Sequence, residues 1–538
     1  ASWLQRMRSY TSLNFQWMDI LWLSPIYKSP LADEGYDISD YYAIDPRFGS
    51  MQDMEELIAE AKKRGMTVLM DLVVNHCSDE HEWFKKACED PDGQYGKYFY
   101  LRDKGPEGKL PTNWRSYFGG PCWDELPGTD KLYMHVFHRK QPDLNWENPE
   151  LREEVYKNIR WWMEKGIGGF RIDAIINIKK PAVLHDYPAD RDDGLSSVDN
   201  MLMEAEGIGE FLGEMRDKAF APYDAFTVGE VFDEKEGDLP LFIGENGYFS
   251  TMFDFSVELY GRSGKGWFDM KRIDIDAFRN CMFGAHKKIG DIGFYSTIIE
   301  NHDEPRGASR LLSDEIRCDA SKKALAMVYF LRRGLPFIYQ GQEIGMENKK
   351  IRSVQELDDI SSIDSYQVAR RAGLTDEEAL ETITFHSRDN ARTPMQWSDE
   401  EHAGFTTGEP WLKENPNYTQ INVQEQLGRE DSVLSFYKKL IALRKDPAYK
   451  DTFVYGDFVP VEDCGHNVIA YLRKSAEQTI LVAGNFGAQD VSLQLPLMAD
   501  GTAFKGGKIL LDNGKEAYAE DGRLHLAGFA AAAVLLEA

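Results

Sequence analysis

Asp173, Glu230 and Asp303 each stand at or near the end of an apolar run of strand length, in the segments 169–175 (GFRIDAI), 229–232 (GEVF) and 300–306 (ENHDEPR). A fourth segment, 71–76 (DLVVNH), has the same build. Three carboxylates of this kind suit the cleavage of glycosidic bonds. Retaining glycosidases use two carboxyls about 5–5.5 Å apart, one as nucleophile and one as acid. A further anion stabilises the positive charge that develops on the sugar ring. The acid must keep its proton near neutral pH, and burial beside other anions promotes this.

Taken singly, an Asp or Glu reads as a solvated or salt-bridged side chain. Here the neighbours change the reading. Arg171 lies two residues before Asp173, so strand alternation puts both on one face, where a guanidinium holds the acid ionised and aimed. His302 adjoins Asp303, and His76 ends the 71–76 segment. Two histidines and an arginine among carboxylates suit recognition of hydroxyls. The rival reading is a metal site, but no HExxH, paired-His or EF-hand spacing is present.

Acids so far apart in sequence meet only in a fold that gathers strand ends. Apolar runs at 19–26, 67–74, 168–175, 225–232, 251–256, 295–301 and 335–340 read as strands. Helical stretches alternate with them, such as 51–64 stopped by Gly65, and 151–165 with Pro149 just before it. This alternation predicts a parallel sheet, and seven such strands predict an α/β protein of the (β/α)8 TIM-barrel type. A doubly wound sheet lacks its Gly-rich phosphate turn here. In a barrel the strand ends point into one shared mouth. Two stretches interrupt the pattern: 77–146, rich in Gly, Pro, Asp and aromatics, and 343–428, too long for a simple loop. A helix at 432–445 follows, capped by Asp431 or Ser432. Short strands come next, at 468–472, 479–485, 491–495, 508–512 and 524–536. The expected division is a barrel over 1–76 and 147–445, an inserted domain over 77–146 after the third barrel strand, and a C-terminal antiparallel β-sandwich over 446–538.

At 538 residues the chain exceeds one compact core. Its 62 basic and 90 acidic residues give a net charge of -28, which argues against nucleic acid as a partner. No apolar run reaches eighteen residues, so no membrane partner is expected. The start carries no signal-peptide pattern, and six cysteines without CxxC spacing fit reduced thiols, hence a cytoplasmic protein. The oligomeric state is left open.

In this order, the four segments resemble those of the α-amylase superfamily of glycoside hydrolases. The segments 141–145 (QPDLN), 35–40 (GYDISD), 387–397 (SRDNARTPMQW) and 417–423 (NYTQINV) resemble its oligo-1,6-glucosidase branch. The resemblance implies a retaining, exo-acting α-glucosidase on α-1,6 or α-1,4 links at the non-reducing end of short gluco-oligosaccharides. Asp173 resembles the nucleophile, Glu230 the general acid/base and Asp303 the third carboxylate. His76, Arg171 and His302 match residues lining the sugar pocket, and Asp71 a structural partner of Arg171. Tyr36 matches an aromatic that stacks on the terminal glucose, Phe137 an aromatic wall, and Asp33 with Arg392 a pair that closes the pocket.

Three departures qualify the match. The family begins with a further strand and a calcium loop, and this sequence starts after both. The first barrel strand is therefore expected to be missing unless 2–13 replaces it, leaving two open sheet edges and no such metal, with no cofactor implied. Ala174 stands where a Val accompanies α-1,6 preference in the branch, so linkage is open. The continuations Val231-Phe232-Asp233 and Glu304 depart from the commonest pattern, which bears on the leaving-group side. Within the superfamily the alternatives are a sucrose isomerase and a trehalose-6-phosphate hydrolase, for which Lys349, Lys350 and Arg352 are the available cations. Outside enzymes, the alternative is a non-catalytic amylase-fold protein.

Overall fold

The computed structural model describes residues 18–497 and 501–537. The chain divides after Phe253 into two compact units. In the first, five parallel strands lie side by side in sequence order: Ile20–Trp22, Thr67–Val73, Gly169–Asp173, Phe226–Gly229 and Thr251–Phe253. Each is shorter than its apolar run because the last residues of the run leave the ladder. Ala174, for example, turns away from Gly169–Asp173 with φ 43°. Gly169–Asp173 is buried throughout, as expected of a strand covered on both faces.

Helix Met51–Lys63 starts at a Ser50/Asp53 capping box, and Gly65 follows it at φ +72°. Pro149 is the first residue of helix Pro149–Glu164 rather than its predecessor. The first turn has no use for the missing N–H, and Asn148 caps it by accepting from the Glu150 amide at 2.9 Å. The 77–146 stretch forms a helix, Glu82–Glu89, and a small antiparallel sheet of Leu101–Asp103, Lys131–Met134 and Trp123–Glu125. Its core of Trp114, Cys122, Trp123 and Met134 also takes in Val198 and Met201. Arg115 binds Asp190 at 2.6 Å and Asp193 at 2.7 Å. The segment after Gly169–Asp173 thus completes the inserted core, a role its polar sequence concealed.

In the second unit, Tyr295–Thr297 pairs in parallel with Leu335–Pro336. The two longer helices of the 343–428 stretch, Ile360–Arg371 and Asp376–His386, contribute to a core of Ile351, Leu357, Tyr366, Ala369, Ala379 and Ile383. Helix Asp319–Phe330 packs against both helix Val433–Lys445 and the C-terminal sheet. Tyr471 donates to the Val328 carbonyl at 2.8 Å and Arg473 to that of Leu331 at 2.9 Å. The C-terminal sheet has eight strands, with neighbours pairing antiparallel, around one apolar core. One expectation needs correcting. The run 524–536 is two strands, Arg523–Leu526 and Ala531–Glu537. Between them Gly528 lies so close to the backbone that a Cβ there would meet the Ala488 carbonyl oxygen at 2.3 Å. The segment 2–13, named as a replacement for a missing first strand, lies outside the described residues.

Candidate active site

In the first unit the polar groups are organised by Arg171. The strand register places Asp71 opposite Arg171 and Val73 opposite Asp173, while Gly229 stands opposite Ile172. Asp71, Arg171 and Asp173 therefore share one face, and Glu230 follows directly after the adjacent strand. The Arg171 side chain is 1% exposed. Its Nη1 donates to Asp71 at 2.9 Å and to Asp173 at 2.7 Å, and its Nη2 donates to Glu230. Asp71 also accepts from the Tyr36 hydroxyl at 3.0 Å and the Trp22 indole at 3.2 Å. The rings of Trp22 and Tyr36 lie 5.3 and 5.9 Å from the guanidinium.

Burial works against the Arg171 charge, but Asp71, Glu230 and Asp173 prevail and hold its pKa well above the usual range. The second oxygen of Glu230 accepts from the Ala174 amide at 2.7 Å. That amide directly follows the strand carrying Asp173, so the strand also helps to orient Glu230. Such a pair of carboxyls, fixed by one cation with 11% and 8% of their side chains exposed, can divide the roles of nucleophile and proton donor.

His76 is buried beside this group. Its Nδ1 faces the Asn75 amide at 3.2 Å and its Nε2 faces the Tyr36 carbonyl at 3.1 Å. Burial lowers its pKa, against the opposing pull of Asp143. This suits a neutral ring that accepts at Nδ1 and donates at Nε2. Gln141 donates to Asp33 at 2.9 Å. The Phe137 ring lies 5.2 Å from His76 and 4.9 Å from Tyr117. Beneath them, Lys180 forms a buried ion pair with Asp143 at 2.7 Å and donates to Asn75 at 3.1 Å. Lys180 and Asn75 were not anticipated as supports of the His76 ring. Asn75 lies within the 71–76 segment, whereas a lysine in IKKPA resembles any solvated one.

In the second unit Asp303 is the focus. One of its oxygens accepts from Arg388 and Arg392, each at 2.9 Å, and the other pairs with His302 Nε2 at 2.9 Å. Its amide donates to Asn301 at 2.8 Å, and its side chain stays 31% exposed. Burial pushes the Asp303 pKa up, but His302, Arg388 and Arg392 outweigh it and hold the carboxyl well below its usual range. Arg392 donates from Nε to the His302 carbonyl at 3.0 Å. Arg388 holds buried Asp359 on its far edge, at 2.7 and 2.9 Å. Asp359 in turn caps helix Ile360–Arg371. Arg388 and Asp359 were missed, although Arg388 lies in the quoted segment 387–397. Among the described residues, no group of three or more His, Cys, Asp or Glu side chains is arranged to hold a metal ion. Nor is any helix of these residues long and apolar enough to cross a membrane.

Comparison with known proteins identifies the family. Residues 15–454 match the family described as alpha amylase, catalytic domain, and residues 468–532 match the alpha-amylase SusG C-terminal domain. The oligo-1,6-glucosidase of Bacillus cereus is 40% identical over 482 residues, covering 89% of this chain and 85% of that protein. The trehalose-6-phosphate hydrolase of Bacillus subtilis is 37% identical, covering 89% of this chain and 84% of that protein. Among solved structures, the trehalulose synthase of Pseudomonas mesoacidophila MX-45 superposes with a TM-score of 0.91. It is 36% identical, and the match covers 100% of this chain and 95% of that one. The fold class is accordingly the α/β barrel type with a C-terminal antiparallel domain. The chain belongs to the α-amylase family of glycoside hydrolases.

Proposed function

We propose that the chain is a retaining, exo-acting α-glucosidase that hydrolyses α-1,6 or α-1,4 links at the non-reducing end of short gluco-oligosaccharides. The observation that carries this reading is the pairing of Asp173 and Glu230 on one buried guanidinium. A guanidinium shared by both carboxyls keeps them near each other, which supports the reading of a retaining pair. Relatives named oligo-1,6-glucosidase and glucan 1,6-alpha-glucosidase support the substrate class.

Asp173 attacks the anomeric carbon while the bond to the leaving oxygen breaks. The bonding pair goes to that oxygen, and Glu230 supplies its proton. Water then attacks the glucosyl–Asp173 ester, Glu230 takes the water's proton, and Asp173 leaves as a carboxylate. Two inversions release α-glucose. Asp303, kept ionised by its cations, is the third carboxylate and supports the positive charge on the ring. Arg171 holds both carboxyls in place. Asp33, Tyr36, His76, Phe137, His302 and Arg392 are the proposed sugar-binding residues. The six unpaired thiols support a cytoplasmic location. Lys349 is engaged with Glu356 at 3.2 Å, which weakens the case for it as a sugar-phosphate anchor.

The test is Asp173→Asn. Turnover of an aryl α-glucoside should fall by at least about three orders of magnitude, while thermal unfolding stays cooperative. Near wild-type turnover removes Asp173 from the role.

A further inference from the structure

Among the described tryptophans, Trp411 is the exposed one, with 58% of its surface open. It is not loose. Its indole N–H donates to Asp358 at 3.1 Å, which ties down the edge of the ring. Pro410 and Leu412 on either side are buried, so the ring projects from a seated loop. Two routes join that loop to the segment bearing Asp303. Asp358 precedes Asp359, which holds Arg388, which holds Asp303. Separately, Asn415 donates to the Glu347 and Asn348 carbonyls at 3.0 and 3.1 Å, and the Asn348 side chain accepts from the Arg306 amide at 2.9 Å.

We infer that Trp411 is a stacking platform for a further sugar unit of longer substrates, one that is not itself joined at the scissile bond. Pyranose rings present an apolar face of C–H groups to an indole, and their equatorial hydroxyls reach polar groups at its rim. Here the second oxygen of Asp358 is such a group. A platform fixed to the framework that holds Asp303 favours longer chains without contributing to bond cleavage. The inference rests on the glucosidase reading and adds chain-length preference to it.

The test compares kcat/KM for isomaltotriose with that for isomaltose, and maltotriose with maltose, in the wild type, Trp411→Ala, Trp411→Phe and Asp358→Asn. Trp411→Ala should lower the trisaccharide-to-disaccharide ratio of the preferred linkage series about three- to tenfold. Trp411→Phe, which keeps an aromatic face, should retain most of the ratio, and Asp358→Asn should fall between. A ratio that Trp411→Ala leaves unchanged, in a wild type that turns over these sugars, overturns the platform alone. A wild type inert towards all four sugars and an aryl α-glucoside overturns the glucosidase reading, and this inference with it.

Discussion

Ala174, one residue past the proposed nucleophile, carries two duties that pull against each other. Its amide donates to Glu230 from a residue whose φ is 43°, and the resemblance to the oligo-1,6-glucosidase branch implies that its small side chain widens the space beside the scissile bond. A β-branched residue is a steric outlier at such an angle, at a cost of about 1–3 kcal/mol. Ala174→Val should therefore lower Tm by a few degrees. It should also raise the ratio of kcat/KM on isomaltose to that on maltose. An α-1,6 link carries the leaving sugar on an extra rotatable carbon, which can swing clear of the added methyls, whereas an α-1,4 link cannot. An unchanged ratio would show that linkage is read elsewhere. The proposed acids were legible in the sequence because each ends an apolar run, and Arg171 because of its two-residue spacing from Asp173. Lys180 and Asp359 were not: a buried charge depends on a partner brought from far along the chain, and nothing local marks it.

The strands that carry these residues were found nearly where the apolar runs lie, because burial on both faces requires continuous apolar sequence. Their ends were overestimated, since the residues that leave the ladder to form a site remain apolar and buried, as Ala174 and Val231 do. The split of 524–536 escaped notice for a similar reason: AGFAA offers no polar break, and the turn is marked by the close approach at Gly528 and by Phe529 at φ 63°. Gly169 shows how much one small residue decides at this scale. It opens the strand of Arg171 and Asp173 at φ +148°, and a Cβ there would lie 1.9 Å from the Phe226 carbonyl oxygen on the neighbouring strand. That contact cannot be relieved without parting the two strands that lead to Asp173 and Glu230. Gly169→Ala should cost more than about 3 kcal/mol, well above the usual effect of a point substitution. The variant should accumulate poorly or unfold at a visibly lower denaturant midpoint. A midpoint equal to that of the wild type would mean that the strands separate freely, and the rigid coupling of the two acids would have to be abandoned.

For the whole molecule, pH acts through buried groups of opposite sign. Burial lowers the pKa of His286 to about 3 and of His81 and His386 to about 4. In the unfolded chain these groups bind protons near pH 6.5, so stability drains away as pH falls below that value. Glu258 does the reverse. Burial, with Glu304 and Asp254 nearby, raises it to about 7 despite Arg310 at 3.0 Å. Between its unfolded value of about 4.3 and 7, the folded state holds the extra proton, so stability is lost as pH rises through that window. Glu258→Gln removes the titration and keeps the shape, and Arg310 retains Glu304 at 3.0 Å. At pH 5 Glu258 is protonated and the variant should unfold close to the wild type. At pH 8 the wild type has had to ionise a buried carboxyl, and the variant should gain about 1–3 kcal/mol relative to its position at pH 5. The repulsion from a net charge of -28 also grows with pH, but wild type and variant share nearly all of it, so it cancels from the difference. Denaturant titrations of both proteins at the two pH values measure that difference directly. A gain of equal size at pH 5 and pH 8 would place the effect in packing rather than in the proton.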